Sequence, residues 1–247
     1  MMKLHIKIVV AAIVSFFGMS SALSHSSALA ADKAYPRMQP LAAYLMPKAA
    51  EIALARSAAP ASISKDATVL VLGHHGYVTA VKGSNGFVCM VERGWAIAID
   101  FSLEYDPHLR GVDCLNPPAA RSILPVEMKM TDMVLAGRSQ ASIAAAISLD
   151  YKDGRLPPVE PGAAGIMMSK GSYIINQPPH NFPHVMFFTM MSAKRFAAAN
   201  LPGVPVFLSP YFFVDGFDRT AVDGLPAIQL MDVVVFQWSD GTPFVLR

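Results

Sequence analysis

The first thirty residues differ in character from the rest of the chain and limit what has to fold. Lys3 and Lys7 give a basic start, residues 8–19 form an apolar run, and Ala28-Leu29-Ala30 supplies the small residues that precede signal-peptidase cleavage. The apolar run of about 12 residues is shorter than the roughly 20 that cross a bilayer, which disfavours a membrane anchor. We predict a signal peptide over residues 1–30 and a single globular domain over residues 31–247.

The charge balance excludes several classes of partner. The chain carries 20 Lys and Arg against 18 Asp and Glu, and two of the lysines lie in the predicted signal peptide. Because neither sign is gathered into a block, the composition excludes nucleic acid. No later stretch reaches membrane-spanning length without a charge or a proline. We therefore expect a periplasmic or secreted protein with no integral membrane segment. A small molecule is a candidate ligand, and the sequence indicates no protein partner.

The chain has two cysteines, Cys89 and Cys114, and both follow the predicted signal peptide. An even cysteine count in an oxidising compartment favours a disulfide. The alternatives are a catalytic thiol or a pair of metal thiolates, but the chain has no C-x-x-C motif and a free thiolate is a liability outside the cytosol. We predict a Cys89–Cys114 disulfide.

The pattern around Cys89 predicts a hairpin. Residues 77–82 and 87–92 read as strands, and Gly83-Ser84-Asn85-Gly86 between them is typical of a tight turn. Residues 106–118 are rich in Pro, Gly and Asp, which predicts an ordered loop that carries Cys114.

The remaining elements indicate the fold class. Apolar runs predict strands over residues 67–72, 185–191 and 228–238. Pro47 suits the first position of a helix, and Ser139 suits the N-cap of another that Asp153-Gly154 ends. Strands at both ends of the domain with a helix between them predict an α+β fold, a mostly antiparallel sheet with helices packed on it.

Two histidine segments are the first candidates for chemistry. His180 and His184 flank Pro183, and His74-His75 follow the first predicted strand. Imidazoles bind Zn, Cu, Fe or Ni, and a neutral imidazole also acts as a general base. A transition metal would need further ligands, for which the candidate carboxylates are Glu92, Asp100 and Asp215. Structural or solvated histidines are the alternative.

The segment before His180 holds further polar candidates. Ser169 and Lys170 could form a nucleophile and its base, and Tyr173 could contact a ligand. The S-x-x-K spacing that places both groups on one helical face is absent, and there is no G-x-S-x-G elbow. Both absences weaken the prediction of a serine hydrolase.

Methionines and phenylalanines cluster in residues 185–191. Met186, Met190 and Met191 surround two phenylalanines, a pattern typical of core packing or of an adaptable apolar pocket. Met128, Met130 and Met133 have the spacing of Cu(I)-binding thioethers, which is a further alternative.

Several short segments resemble a family of exported bacterial proteins that has no assigned activity. They are Asn85-Gly86-Phe87-Val88-Cys89, Cys114-Leu115-Asn116-Pro117, Met167-Met168-Ser169-Lys170, Pro183-His184-Val185-Met186-Phe187-Phe188 and Trp238-Ser239-Asp240-Gly241-Thr242. The resemblance implies that the cysteine, lysine and histidine segments belong to one domain, and it carries no functional residue over.

Two functions follow from these observations. The first is a small-molecule enzyme whose site gathers His184, His180, Lys170 and Ser169 as catalytic candidates with His74, His75 and Tyr173 as ligand-binding candidates. The second is a non-enzymatic protein that binds an apolar small ligand or a metal ion. The enzyme hypothesis requires the two histidine segments to meet, whereas the binding hypothesis requires a cavity lined by Met186, Phe188, Met190 and their neighbours.

Overall fold

A computed structural model describes residues 38–97, 105–175, 178–190, 206–211 and 228–245, all within one compact unit, Asp32–Arg247. The predicted signal peptide lies outside the described residues. After a 3-10 turn, Leu41–Ala43, the helices are α1 Lys48–Arg56, α2 Ala61–Ser64, α3 Gly94–Ile97, α4 Pro117–Ser122, α5 Leu124–Leu135 and α6 Gln140–Lys152. The strands are β1 Thr68–Gly73, β2 Gly76–Val81, β3 Val88–Glu92, β4 Gly111–Leu115, β5 Ala164–Met167, β6 His184–Thr189, β7 Val206–Pro210 and β8 Gln229–Val234.

In the described residues these eight strands form one sheet, in the order β2-β1-β3-β4-β5-β6-β8-β7. Every neighbouring pair is antiparallel except β1 and β3, which are parallel. The α+β fold class and the mostly antiparallel sheet are therefore confirmed.

The predicted hairpin between β2 and β3 is wrong. β2 pairs with β1 through the tight turn at His74-His75, and the segment with Asn85-Gly86 instead crosses the start of β1 to reach β3. The amide N of Thr68 donates to the Phe87 carbonyl O at 2.9 Å, which holds this crossing close. A Cβ at Gly83 would lie 2.2 Å from the Thr68 amide N, so the crossing requires glycine.

The predicted loop over residues 106–118 contains strand β4. All five residues of β4 are buried, and Cys114 lies directly opposite Cys89 on β3. The two cysteines form the predicted disulfide, and both side chains are fully buried.

Replacing both cysteines by alanine is expected to lower the free energy of unfolding by about 3 kcal/mol, because the disulfide closes a chain segment of 25 residues in the unfolded state. Urea-induced unfolding measures the change. Wild-type protein reduced with dithiothreitol is the matched control and should unfold like the double variant. Equal midpoints for oxidised and reduced protein would contradict the prediction.

The helices and outer strands follow local signals. Pro47 precedes α1 as its N-cap, and the Ser139 side chain caps α6 by accepting from the Ser142 amide at 3.3 Å. β6 and β8 correspond to the predicted strands at residues 185–191 and 228–238. Residues 119–136, which the sequence left ambiguous, divide into α4 and α5 with Pro125 in the first turn of α5.

The sheet separates two cores. On one face, small side chains of α1 pack against Val69, Cys89, Val91 and Cys114. On the other face, a larger core includes Met90, Leu115, Met167 and residues of α5 and α6. Because alternate residues of a strand share a face, the larger core also receives Glu92, Asp113 and His184. This face carries the candidate site.

The described helices include none with the length and hydropathy that crossing a membrane requires.

Candidate functional site

A cavity of about 50 Å³ lies between the larger-core face of the sheet and helices α3 and α5. This volume has room for a few water molecules or for the polar end of a small ligand. The polar lining residues are Glu92, Asp113, Glu127, His184, Tyr211 and Asp232. The apolar lining residues are Ala96, Met167, Ile174, Met186, Phe188 and Leu230. The cavity thus combines an acidic side with an apolar side.

Sheet register brings these residues together. His184, Met186 and Phe188 alternate on β6 and therefore face the cavity together, and Asp232 on β8 lies opposite Met186. Asp113 projects from the same face of β4, beside Gly165 of β5. A Cβ at Gly165 would lie 2.7 Å and 2.8 Å from the two Asp113 carboxyl oxygens, so the glycine leaves the space that this carboxyl group occupies.

Glu92 and Glu127 form a hydrogen-bonded carboxyl pair. Both side chains are buried. Burial raises the pKa of Glu127 to about 7. Burial, with the nearby charges of Glu127 and Asp113, raises the pKa of Glu92 well above its ordinary range. Glu127 also accepts a hydrogen bond from the Tyr211 hydroxyl at 3.3 Å, which favours its ionised form, and we therefore assign the proton of the pair to Glu92.

Two aspartates extend the acidic side. Burial raises the pKa of Asp113 well above its usual range, although one of its oxygens accepts from the Cys114 amide at 2.6 Å. Burial raises the pKa of Asp232 to about 7. We call Glu92, Asp113, Glu127 and Asp232 the carboxyl quartet. Four of its oxygens, one from each residue, are buried and have no hydrogen-bond partner among the described residues: Glu92 Oε2, Asp113 Oδ2, Glu127 Oε2 and Asp232 Oδ1.

His184 is the predicted site residue that lines the cavity. Its Nδ1 lies 2.7 Å from the Phe182 carbonyl oxygen. Because a carbonyl only accepts, Nδ1 carries the ring proton and Nε2 is the acceptor. Burial lowers the pKa of His184, which favours this neutral form.

His180 and Tyr173 lie together, but neither lines the cavity. Their rings stack at a centroid distance of 4.7 Å, and His180 Nδ1 bonds the Ile175 carbonyl at 3.0 Å. Ile174, next to Tyr173, does line the cavity. These two candidates therefore hold a neighbouring segment in place.

The second histidine segment does not meet the first. His74 and His75 are exposed on the β1–β2 turn. β1 and β6 are four strand spacings apart in the sheet, about 19 Å. The meeting of histidine segments that the enzyme hypothesis required does not occur.

Ser169 and Lys170 have other partners. The Ser169 hydroxyl is buried against the Ser57 hydroxyl at 2.5 Å and accepts from the Gly171 amide at 3.0 Å. Lys170 Nζ is paired with Asp240 Oδ2 at 2.7 Å on the surface. Neither residue lines the cavity, and they do not contact each other as nucleophile and base.

The metal hypotheses find little support in these positions. No set of three His, Cys, Asp or Glu side chains within the described ranges is placed to hold a metal ion. Of the candidate carboxylate ligands, Glu92 lines the cavity, whereas Asp100 and Asp215 lie outside the described residues. Met128, Met130 and Met133 on α5 pack against the larger core.

Sequence reasoning missed Asp113, Glu127, Asp232 and Tyr211 as site residues. A signal for two of them was present, since Asp113 and Asp232 are the only charged residues in strands β4 and β8. A charged residue inside a buried strand is rare unless it is paired or functional.

The fold and the cavity define an α+β protein with an acidic cavity on one face of a mostly antiparallel sheet. Comparison with protein-family models, curated proteins and solved structures gives no match to this chain.

Proposed function

We propose that the protein is a small-molecule enzyme that performs general acid–base chemistry in this cavity, with Glu92 and Glu127 as the proton-transferring pair. One observation carries the proposal: two buried carboxyl groups are hydrogen-bonded to each other, and each keeps a second oxygen without a partner among the described residues beside the cavity. Two interacting acids with different proton affinities are a recurrent arrangement in acid–base catalysis.

In the proposed mechanism Glu127 is the base and Glu92 the acid. A pKa of about 7 leaves Glu127 substantially ionised near neutral pH, while it remains basic enough to accept a proton at Oε2. Glu92, which its raised pKa keeps protonated, gives a proton to the substrate, and the proton that Glu127 has taken up then passes to Glu92 along their hydrogen bond, which restores the pair. His184 Nε2 accepts a hydrogen bond from the substrate and fixes its orientation.

The proposal predicts loss of turnover on Glu127→Gln. A defined mixture of small amines, esters, amides and hydroxy acids is incubated with the protein in D2O and followed by proton NMR, which reports both new products and exchanged C–H protons. We expect Glu127→Gln to slow any wild-type conversion by about 100-fold or more. The pH profile of kcat/KM should show a pKa near 7 that the variant lacks.

Glu160→Gln is the matched control, because Glu160 is a surface carboxylate that is paired with Arg121 and does not line the cavity. This variant should keep wild-type turnover. If neither wild type nor Glu127→Gln converts any component of the mixture, the proposal of an enzyme is overturned.

A non-enzymatic binding protein is the second candidate. The apolar side formed by Met186, Phe188 and Leu230 supports it, because these side chains could hold a hydrocarbon group without any chemistry. Saturable binding of a mixture component with no conversion in the same NMR spectra would favour this candidate.

Export to the periplasm or beyond is also part of the proposal. The basic and apolar pattern of residues 1–30 supports it, as does the Cys89–Cys114 disulfide. Intact-mass measurement on protein recovered from a periplasmic extract tests the predicted cleavage after Ala30, and an uncleaved chain would contradict it.

A further inference from the structure

Among the described residues, the cavity offers hydrogen-bond acceptors and no fixed positive charge. The lining residues that the structure describes include no lysine or arginine. The Tyr211 hydroxyl donates to Glu127, and the neutral His184 directs its Nδ1 proton at Phe182. An anionic ligand would therefore meet carboxyl groups without a compensating cation.

The unpartnered oxygens of the carboxyl quartet need donors. All four side chains are buried, from Asp113 at 0% exposed to Asp232 at 8%. A buried polar atom without a hydrogen-bond partner is costly, and a buried ionised carboxylate is more so. A ligand that brings both N–H donors and a positive charge would satisfy the oxygens and favour the ionised carboxyl groups.

Glu127 lies at the centre of the quartet, because it is hydrogen-bonded to Glu92 and its charge raises the pKa of both Glu92 and Asp113. This set does not converge as a metal site does. An ammonium group has three N–H donors and tolerates looser geometry than a metal ion, since each donor bonds one oxygen.

The apolar side fits a short hydrocarbon group. Met186 and Phe188 project from β6, and Leu230 faces Phe188 across the β6–β8 pair. Phe188 is itself held edge-on to Tyr211 with ring centroids 5.6 Å apart. These groups line the cavity alongside the carboxyl quartet, so one small molecule can contact both.

We infer that the ligand of this cavity is a small primary amine, bound as its ammonium ion by Glu92, Asp113 and Glu127, with its hydrocarbon part against Met186, Phe188 and Leu230. The inference names the substrate class of the proposed enzyme and so rests on the proposed function. Glu92 keeps its proton in the hydrogen bond to Glu127 and accepts from the ammonium group at Oε2. Because the ammonium ion favours the ionised forms of Asp113 and Glu127, binding releases protons and strengthens as pH rises.

Isothermal titration calorimetry with three ligands of equal chain length tests this. n-Butylammonium is the cation, butan-1-ol the neutral control and butyrate the anionic control, each titrated at pH 5 and pH 8 at low ionic strength. We expect n-butylammonium at pH 8 to bind at least about tenfold more tightly than butan-1-ol, the discrimination of one charge-assisted hydrogen bond. Its affinity should fall at pH 5, and buffers of different ionisation enthalpy should reveal proton release.

The variant Asp113→Asn should weaken n-butylammonium binding by about tenfold or more while leaving butan-1-ol unaffected. Asp153→Asn, at an exposed aspartate after α6, is the matched control and should bind like wild type. Comparison of the three ligands on wild-type protein does not depend on any variant folding. Equal affinity for alcohol and ammonium, or no binding of ammonium, overturns the inference.

The calorimetry tests the ligand class and the NMR experiment tests the proposed enzyme, so that either hypothesis can be overturned without the other. Glu127-dependent conversion of neutral compounds only, with no preference for ammonium, would overturn the inference and leave the proposed enzyme standing. Selective ammonium binding without conversion of any compound would support the ligand class and overturn the proposed enzyme.

Discussion

The variant Arg93→Met is expected to lose about 4 kcal/mol of unfolding free energy, because it leaves a buried carboxylate without its counter-ion. Arg93 and Glu51 are fully buried, and Arg93 Nη2 lies 2.9 Å from Glu51 Oε1. The same guanidinium donates to the carbonyl oxygens of Tyr44, at 3.0 Å, and of Val91. Glu51 also accepts from the Leu72 amide at 3.1 Å, so the pair connects α1 with β1 and β3. Urea-induced unfolding followed by circular dichroism measures the loss.

A double variant distinguishes the free-energy cost of an unpaired buried charge from the cost of lost packing. Arg93→Met combined with Glu51→Leu removes both charges and should recover a large part of the loss, since apolar replacement of a whole buried pair is often neutral. Arg121→Met, which breaks the exposed pair with Glu160, is the matched control and should leave the unfolding midpoint nearly unchanged. If Arg93→Met and Arg121→Met shift the midpoint equally, the buried pair does not have the predicted role.

The free energy of unfolding is expected to fall as pH rises from 5 to 8. Glu127 and Asp232, the two members of the carboxyl quartet whose pKa rises to about 7, should each contribute about 3 kcal/mol to this loss. Burial raises the pKa of Glu127 from its ordinary value of 4.5, and that of Asp232 from 3.8, to about 7. Between these values the folded state holds protons that the unfolded state has released. Raising the pH through this window therefore favours unfolding, and the more strongly raised pKa values of Glu92 and Asp113 extend the loss to higher pH.

Other groups act in a different direction or at a different pH. The lowered pKa of His184 makes stability rise with pH below about 6.5. This effect opposes that of the carboxyl quartet, but it comes from one group whereas the quartet contributes four, so the net stability still falls as pH rises. Lys129 lowers the pKa of Asp150 and Lys170 lowers that of Asp240, and their contributions are lost only at more acidic pH.

Urea unfolding at pH 5, 6, 7 and 8 measures the slope, which the double variant Glu127→Gln with Asp232→Asn should flatten. Stability that stays constant or rises over this range in wild type would show that the quartet is not buried as described.

Local sequence patterns predicted the helix cap of α6 and the strand β6. Ser139 caps α6 because its hydroxyl reaches an amide three residues away, and the continuous apolar run at residues 185–191 forms β6. The pairing of strands could not be predicted from these local patterns. Asn85-Gly86 correctly indicated a turn, but turn chemistry does not determine which strand lies next to which, and β1 occupies the place that the prediction gave to β3. β4 was missed because Asp113 interrupts its apolar run.

The sequence named Glu92 as a candidate carboxylate, but only along β6 did it place several lining residues together. A two-residue period places His184 beside Met186 and Phe188, so one strand reveals three lining residues. Asp113, Glu127 and Asp232 come from elements far apart in the chain, and only the sheet register and the position of α5 bring them to one cavity. His74-His75 illustrates the converse, since two adjacent imidazoles on a turn are exposed and four strands away from His184.

The position of β8 determines when the cavity can exist during folding. β8 is the last strand that the structure describes, yet it lies between β6 and β7, and within the described residues β7 pairs with β8 alone. A nascent chain that stops before Gln229 therefore lacks the strand that joins β7 to the sheet, together with Asp232. Contacts between such distant residues form late, because the chain must first close long loops. Ligand occupancy would accordingly report that synthesis and folding are complete, and a ligand present during folding would stabilise only the finished molecule.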